Sequence, residues 1–337
     1  MSGTGWYVHH HGRGHLTRFL AVRRHLPGPV TVFSTLEAPA SLPAGTVWVR
    51  LPRDDDGVAD GAEPSAGGAL HWAPLHHGGH RERMAVIAAA CARHRFDRFV
   101  VDVSVEVALL VRLLGVPTVV VAQPGDRDDD PHRLAYRAAT RILAPWADGL
   151  QTTPVIEANR ERVRFSGAIS RFDERMPDAG ERTGPVLVLG AAAGPLPTSD
   201  AVHLDGTAWQ DDPWTLLASS DVVVTAAGQN ALADLAASGA RAIVVPQERP
   251  FGEQRASADV LEREGLALVL DAWPSVEEWP GHLECARALR PDWSAWRVRG
   301  GAARAAAAIE AVGAGQAARA DAPDTGQLAA DDAGSLP

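Results

Sequence analysis

Cysteine is nearly missing from this chain: among 337 residues there are only Cys91 and Cys285, far apart. Neither a disulfide framework nor a zinc cluster built on cysteine is available to it. Lysine is lacking too, and arginine carries the basic charge. With abundant alanine, glycine and proline, this reads as the codon bias of a GC-rich genome and carries no mechanism. No run of about 18 apolar residues occurs, which excludes a spanning helix, and the N-terminus lacks the basic and apolar regions of a signal peptide. Positive charge is not in surplus either: the formal net charge of -10 argues against general affinity for nucleic acid or an anionic membrane surface. The remainder, 46% hydrophobic and 22% charged, is the composition of an ordinary globular protein, and the length suits two domains better than one. The expected setting is the reducing cytoplasm, with peripheral membrane association left open.

Short apolar runs alternate with helix-like stretches. GWYVHH reads as a strand, and the segment after it sets Leu16, Phe19, Leu20 and Leu26, with Val22 in part, on one helical face. VTVFST, TVWVRL, RFVVDV and PTVVVAQP are further strands, and RMAVIAAACARH and SVEVALLVRLLG are helices, the last ended by Gly115. This rhythm of near-continuous apolar strands predicts a parallel sheet covered on both faces. It restarts after residue 171. FDERMPDAGERTGP reads as a polar linker; strands VLVLG, DVVVTAA, RAIVVPQ and LALVL follow, with helices QNALADLAASG and GEQRASADVLEREG. The expected organisation is an N-terminal unit over residues 1–170, a second unit over 171–312 with a cleft between them, and a tail, 313–337, too poor in large apolar side chains to fold. Residues 54–80 form a Gly-rich loop of a length usual for lids and binding loops.

In an open α/β sheet, ligands sit beyond the carboxyl ends of the strands, and HHHGRGH, residues 9–15, occupies such a place. Gly12 and Gly14 allow a tight turn into the helix and bring His15 to its N-terminus, facing the cleft. A dinucleotide fingerprint would need a third Gly or Ala where Thr17 stands, and no acidic residue ends the next strand. Alternation along a strand keeps His9, His10 and His11 from converging on one ion, so zinc would need His10 or His11 with His15 and a distant carboxylate. In the second half, Ala227, Gly228, Gln229 and Asn230 lie at a helix start, where free amides and the helix dipole favour phosphate. Asp234, one turn further in, could accept hydrogen bonds from a ribose diol. Glu253 and Gln254 open the next helix and can reach the same pocket.

Taken in this order, Val222 to Leu270 resembles the C-terminal donor-binding domain of GT-B glycosyltransferases of family 28, the group typified by MurG. Gly228 to Asp234 keeps the family's turn-to-acid spacing, with Asp in place of the usual Glu. Pro246 to Gln254 keeps the length of its Pro-led loop, with Glu253-Gln254 in place of a Gln pair. Leu187 to Gly194 is similar to the first Gly-rich turn beside the diphosphate, which implies roles for Gly190, Ala191 and Gly194. SGAISRFD is similar to the family's inter-domain junction and puts Arg171 near the diphosphate. GRGHLTRFLAVRRHL resembles the Gly-Gly-His loop of the N-terminal domain, with His15 on the family histidine. At VVVAQPGDRDDDPHR only Gln123 survives of the family's Glu-Gln-Asn turn, a departure that argues against a peptidoglycan acceptor.

The resemblance implies an α/β protein of the GT-B fold, two Rossmann-like domains facing each other across a cleft. It implies an inverting, metal-independent transferase that moves a sugar from a nucleoside-diphosphate sugar, first of all a UDP-sugar, to a hydroxyl acceptor. Lipid-linked and cell-envelope glycan precursors are among the candidate acceptors. No cofactor is expected beyond the nucleotide-sugar co-substrate, and no nucleic-acid partner. His15 is the first candidate for the base, because imidazole titrates near neutral pH. Asp102 and Glu106, at a strand end and the following helix start, are the reserves, and Glu106 reads equally well as a first-turn acid satisfying the helix dipole. The DDD runs at 54–56 and 128–130 read as solvated loop charge. Trp72, near His76, His77 and His80, could stack on a sugar or anchor its loop. The alternatives are a nucleotide-sugar hydrolase of the same fold, as in pseudaminic acid synthesis, a UDP-GlcNAc 2-epimerase, and a non-catalytic nucleotide-sugar sensor.

Overall fold

A computed structural model describes residues 3–320, apart from 178, 179, 181, 191, 206–209 and 211. The first sheet has seven parallel strands: β1 (Gly3–Val8), β2 (Val30–Ser34), β3 (Thr46–Arg50), β4 (Phe96–Asp102), β5 (Thr118–Val121), β6 (Arg141–Ala144) and β7 (Val163–Phe165). Their order is β3-β2-β1-β4-β5-β6-β7. The central strands are apolar on both faces. Trp6, Val8, Val100, Val119 and Val121 pack to one side, and Tyr7, Phe99, Val101 and Val120 to the other. Burial on both faces is why these strands read as continuous apolar runs rather than as alternating ones.

Helices α1 (Gly14–Arg23), α2 (Gly78–Arg93), α3 (Val105–Leu113), α4 (Asp130–Ala138) and α5 (Pro154–Glu157) connect these strands. The second sheet is also parallel, with β8 (Leu187–Leu189), β9 (Val202–Leu204), β10 (Val223–Thr225), β11 (Ala242–Val244) and β12 (Leu268–Val269) in the order β12-β11-β10-β8-β9. Its helices are α6 (Trp214–Ser219), α7 (Gln229–Ser238), α8 (Glu253–Arg263) and α9 (Trp279–Ala288). Two α/β units are thus present, as the sequence pattern predicts.

The chain then returns. In α10 (Gly301–Ala320), Ala302, Ala305, Ala306 and Ile309 sit at helical spacing and join Trp6, Phe19 and Val100 in one buried cluster. Residues 301–312, grouped by sequence with the second unit, therefore cover a face of the first sheet beside α1. The helix is interrupted at Val312 and Gly313, the latter at φ 99°, and its backbone is described to Ala320. The expected tail beyond that point, 321–337, lies outside the described residues.

One local expectation needs correction. β1 ends at Val8, and His9 and His10 lie beyond the sheet rather than in the strand. The reason is the neighbour: Val8 pairs with Asp102, the last residue of β4, and Val103 then turns away at φ 63°. A β-branched residue in the left-handed region is a strained outlier, and such strain concentrates at functional sites.

Candidate active site

The two units meet directly. From α1, Arg18 Nη2 donates to Gln229 Oε1 of α7 at 3.2 Å, and the Gly14 carbonyl accepts from Asn230 Nδ2 at 2.5 Å. Further along, the Asp126 amide donates to the Phe251 carbonyl at 2.8 Å, and Arg127 Nη2 reaches Glu253 Oε2 at 3.0 Å while its guanidinium lies 4.3 Å from the Phe251 ring centre. Two glycines make this approach possible. A Cβ on Gly14 would lie 3.1 Å from Asn230 Nδ2, and one on Gly125, at φ 89°, would lie 2.3 Å from the Phe251 carbonyl oxygen. Between these contacts is a cavity of about 930 Å³, in the range that small-molecule sites occupy.

His15 lines this cavity, and its Nδ1 lies 3.0 Å from Asp102 Oδ1. Asp102 is fully buried, and Arg18 Nη1 stands 3.6 Å from the same oxygen. Burial alone would raise the Asp102 pKa, but Arg18 and then His15 outweigh it and hold the carboxyl below its ordinary value. An ionised carboxylate only accepts, so it fixes the proton on Nδ1 and leaves Nε2 as the lone-pair nitrogen. His9 stacks on His15, ring centres 5.7 Å apart, and its own pKa is lowered, first by burial and then by the neighbouring imidazoles. It is a neutral packing surface for His15. His10 and His11, also in the cavity wall, reach Asp55 Oδ2 at 3.2 and 3.4 Å.

Three helices aim their N-termini into this space. The N-cap residues of α1, α7 and α8 are Arg13, Gly228 and Gly252, which offer no side-chain acceptor to cap the first helical amides. Gly228, Gln229 and Asn230 line the cavity at the start of α7, opposite Gly12, Gly14 and His15. Uncapped amides and a helix dipole together make a site for an anion. Gln254 is buried and steadies this wall: its Oε1 accepts from the Ala227 amide at 3.2 Å and the Gln247 amide at 2.8 Å. Glu253 lines the cavity while held by Arg127.

The other candidates are engaged in different ways. Glu106 lines the cavity, but its Oε1 accepts from the His71 and Trp72 amides at 2.8 and 3.0 Å and its Oε2 from Ser104 at 3.0 Å. It anchors the loop that carries Trp72, whose indole N–H donates to the Asp54 carbonyl at 2.8 Å. Arg171, Gly190, Gly194 and Asp234 lie outside the cavity walls. Gly194 packs on Trp273, and Gly190 donates its amide to Leu204. Ala191 lies outside the described residues. Asp234 turns inward on α7, accepting from Ser170 Oγ at 2.6 Å with Arg171 Nε at 3.3 Å.

Burial raises the Asp234 pKa to about 6 in spite of Arg171. A carboxyl whose folded pKa lies above its unfolded value binds protons more tightly in the folded state. Asp234 therefore lowers stability as pH rises through about 4 to 6. Asp234→Asn should flatten that stretch of the stability curve. Urea unfolding should give a variant-minus-wild-type difference more positive at pH 7 than at pH 4.5 by up to about 2 kcal/mol.

The residues that pattern alone did not single out are Arg18, Arg127 and Phe251. Arg18 carried a readable signal, since it follows His15 by three positions and so shares its helix face. Phe251 carried none: its φ of 62° appears only in the folded loop.

With this geometry in view, comparison with known proteins gives one domain and one fold. Residues 199–277 match the glycosyltransferase family 28 C-terminal domain. No curated protein matches the chain. Among solved structures, the glycotransferase of kitacinnamycin is similar at 16% identity and TM-score 0.57, covering 94% of this chain and 98% of its own. UGT2 of Phytolacca americana, complexed with UDP-2-fluoro-glucose and pterostilbene, is similar at 16% identity and TM-score 0.59, covering 91% and 94%. MurG of Acinetobacter baumannii is similar at 13% identity and TM-score 0.58, covering 92% and 99%. The chain has the GT-B fold, and the stretch 199–277 of its second unit is similar to the glycosyltransferase family 28 C-terminal domain.

Proposed function

We propose that this protein transfers a sugar, with inversion, from a nucleoside-diphosphate sugar to a hydroxyl acceptor, and that a UDP-sugar is the preferred donor. The observation that carries the reading is the placement of the His15–Asp102 pair across one cavity from the uncapped N-terminus of α7. The diphosphate would lie on the Gly228, Gln229 and Asn230 amides, with α1 and α8 adding positive potential. The acceptor oxygen attacks the anomeric carbon and gives its proton to His15 Nε2, while the bond to the diphosphate breaks and its electrons go to the leaving oxygen. Asp102 stays ionised and stabilises the imidazolium that forms, as a buried carboxylate does for a catalytic histidine. The helix N-termini are pre-organised for the charge that develops on the leaving group, which is the work a metal would otherwise do. Kinship with a UDP-sugar complex of the same fold supports the nucleotide, and the 930 Å³ cavity has room for donor and acceptor together.

The test is a thermal-shift screen against UDP-, dTDP- and GDP-sugars. A donor present at tens of times its Kd should stabilise the fold by about 2 kcal/mol. A shift with none of them would remove the donor site. Where a donor binds, fast nucleotide release with no acceptor present would identify water as the acceptor and make the protein a hydrolase.

A further inference from the structure

A second cluster of side chains in the same cavity wall takes no part in this chemistry. The Gly-rich loop brings His71, the connection from β5 brings Asp129 as the N-cap of α4, and the first turn of α4 brings His132. His71 Nε2 lies 2.5 Å from Asp129 Oδ2, and His132 Nδ1 bonds to the other carboxylate oxygen. One ligand atom from each of the three residues lies within 4.8 Å of the others. We propose that His71, Asp129 and His132 form a binding site for a divalent cation, best suited to Zn2+, which ties the Gly-rich loop to the start of α4.

The donor set is the first argument. Two imidazoles and one carboxylate are ligands that zinc takes, and three protein ligands leave a fourth tetrahedral position open. Both histidines line the cavity. The second argument is what Asp129 forgoes. It is the N-cap residue of α4, where an aspartate ordinarily accepts from the first helical amides, yet it makes no capping bond and turns both oxygens to the imidazoles. The third is the surroundings. The Phe251 ring of the second unit lies 5.4 Å from His71 and 4.9 Å from His132, centre to centre, forming an apolar cover of the kind that shields metal sites. The nearby positive charge of Arg127 is offset in part by Glu253 at 3.0 Å. The site is read from these three side chains and stands apart from the role given to His15.

The experiment titrates the chelator-treated, dialysed full-length protein with Zn2+ by calorimetry, and with Co2+ by visible absorption. The histidines at 9–11 are a competing place for a metal, so His10→Ala/His11→Ala is measured alongside His71→Ala and His132→Gln. The expected result is one equivalent of Zn2+, with tetrahedral Co2+ bands, in the wild type and in the His10→Ala/His11→Ala protein. Loss of a direct ligand in His71→Ala or His132→Gln should cost more than the roughly 10–100-fold that losing an outer-shell partner costs. His71 belongs to a half-buried loop, so its variant keeps the question open to measurement if His132→Gln misfolds. No Zn2+ bound by the wild type would overturn the proposal. Binding lost in His10→Ala/His11→Ala and retained in His71→Ala would overturn it too.

Discussion

Replacing His15 with alanine should lower kcat by roughly 10²–10⁴-fold, the range that a general base contributes, while the thermal shift given by the donor is retained. The expectation follows from where the imidazole sits. Its Nδ1 is committed to Asp102 at 3.0 Å, so its free nitrogen is the one that can take a proton in the cavity. The amides at the start of α7 belong to a different element and do not need His15. A steady-state assay of nucleotide release, run beside the thermal-shift measurement, separates the two effects. Loss of donor binding along with turnover would make His15 part of the donor site rather than the base. Unchanged turnover would remove it from the reaction.

The second large effect is expected at Arg18. Its guanidinium is buried beside the fully buried Asp102 and also holds Gln229 of the second unit. Removing one partner of a buried pair leaves an uncompensated charge, and Arg18→Ala should destabilise the fold by about 3–5 kcal/mol. Urea unfolding measures it. Because Arg18 holds the Asp102 pKa below the ordinary value, this contribution is complete at neutral pH, above the unfolded carboxylate pKa of about 3.9. It is lost as pH falls through the lower folded pKa, so the gap between variant and wild type should close in acid. Adding Asp102→Asn to Arg18→Ala removes the stranded charge and should restore part of the stability. An additive double variant would mean that the two side chains do not interact.

The fold was legible where a segment is buried on both faces or carries a clear turn. Strands such as VVVTAA and helices such as QNALADLAASG are fixed by local pattern, and Gly239 at φ 65° ends the latter as a glycine after a helix should. α10 was not legible, because its contact face is mostly alanine, and alanine marks no face until the partner surface is known. The reach of β1 into the histidines was misread for a related reason: a strand ends where its neighbour ends, and Val103 sets that point across the sheet. At the site, His15 and Gly228 to Asn230 could be found because helix starts beyond strand ends have a recognisable sequence form. The pairing of His15 with Asp102, 87 positions away, could not be read from spacing, although each residue stood out singly. Asp234 shows the limit of such reasoning. Its position on α7 is readable, but whether it faces the cavity or Ser170 depends on how the linker packs behind the helix.

The measurement closest to the central claim is the anomeric configuration of the first product, followed by proton NMR at early times with a bound donor of known configuration. A single displacement, with His15 Nε2 taking the acceptor proton and the α7 N-terminus holding the diphosphate, predicts a product of the opposite configuration to the donor. A product that keeps the donor's configuration would contradict it.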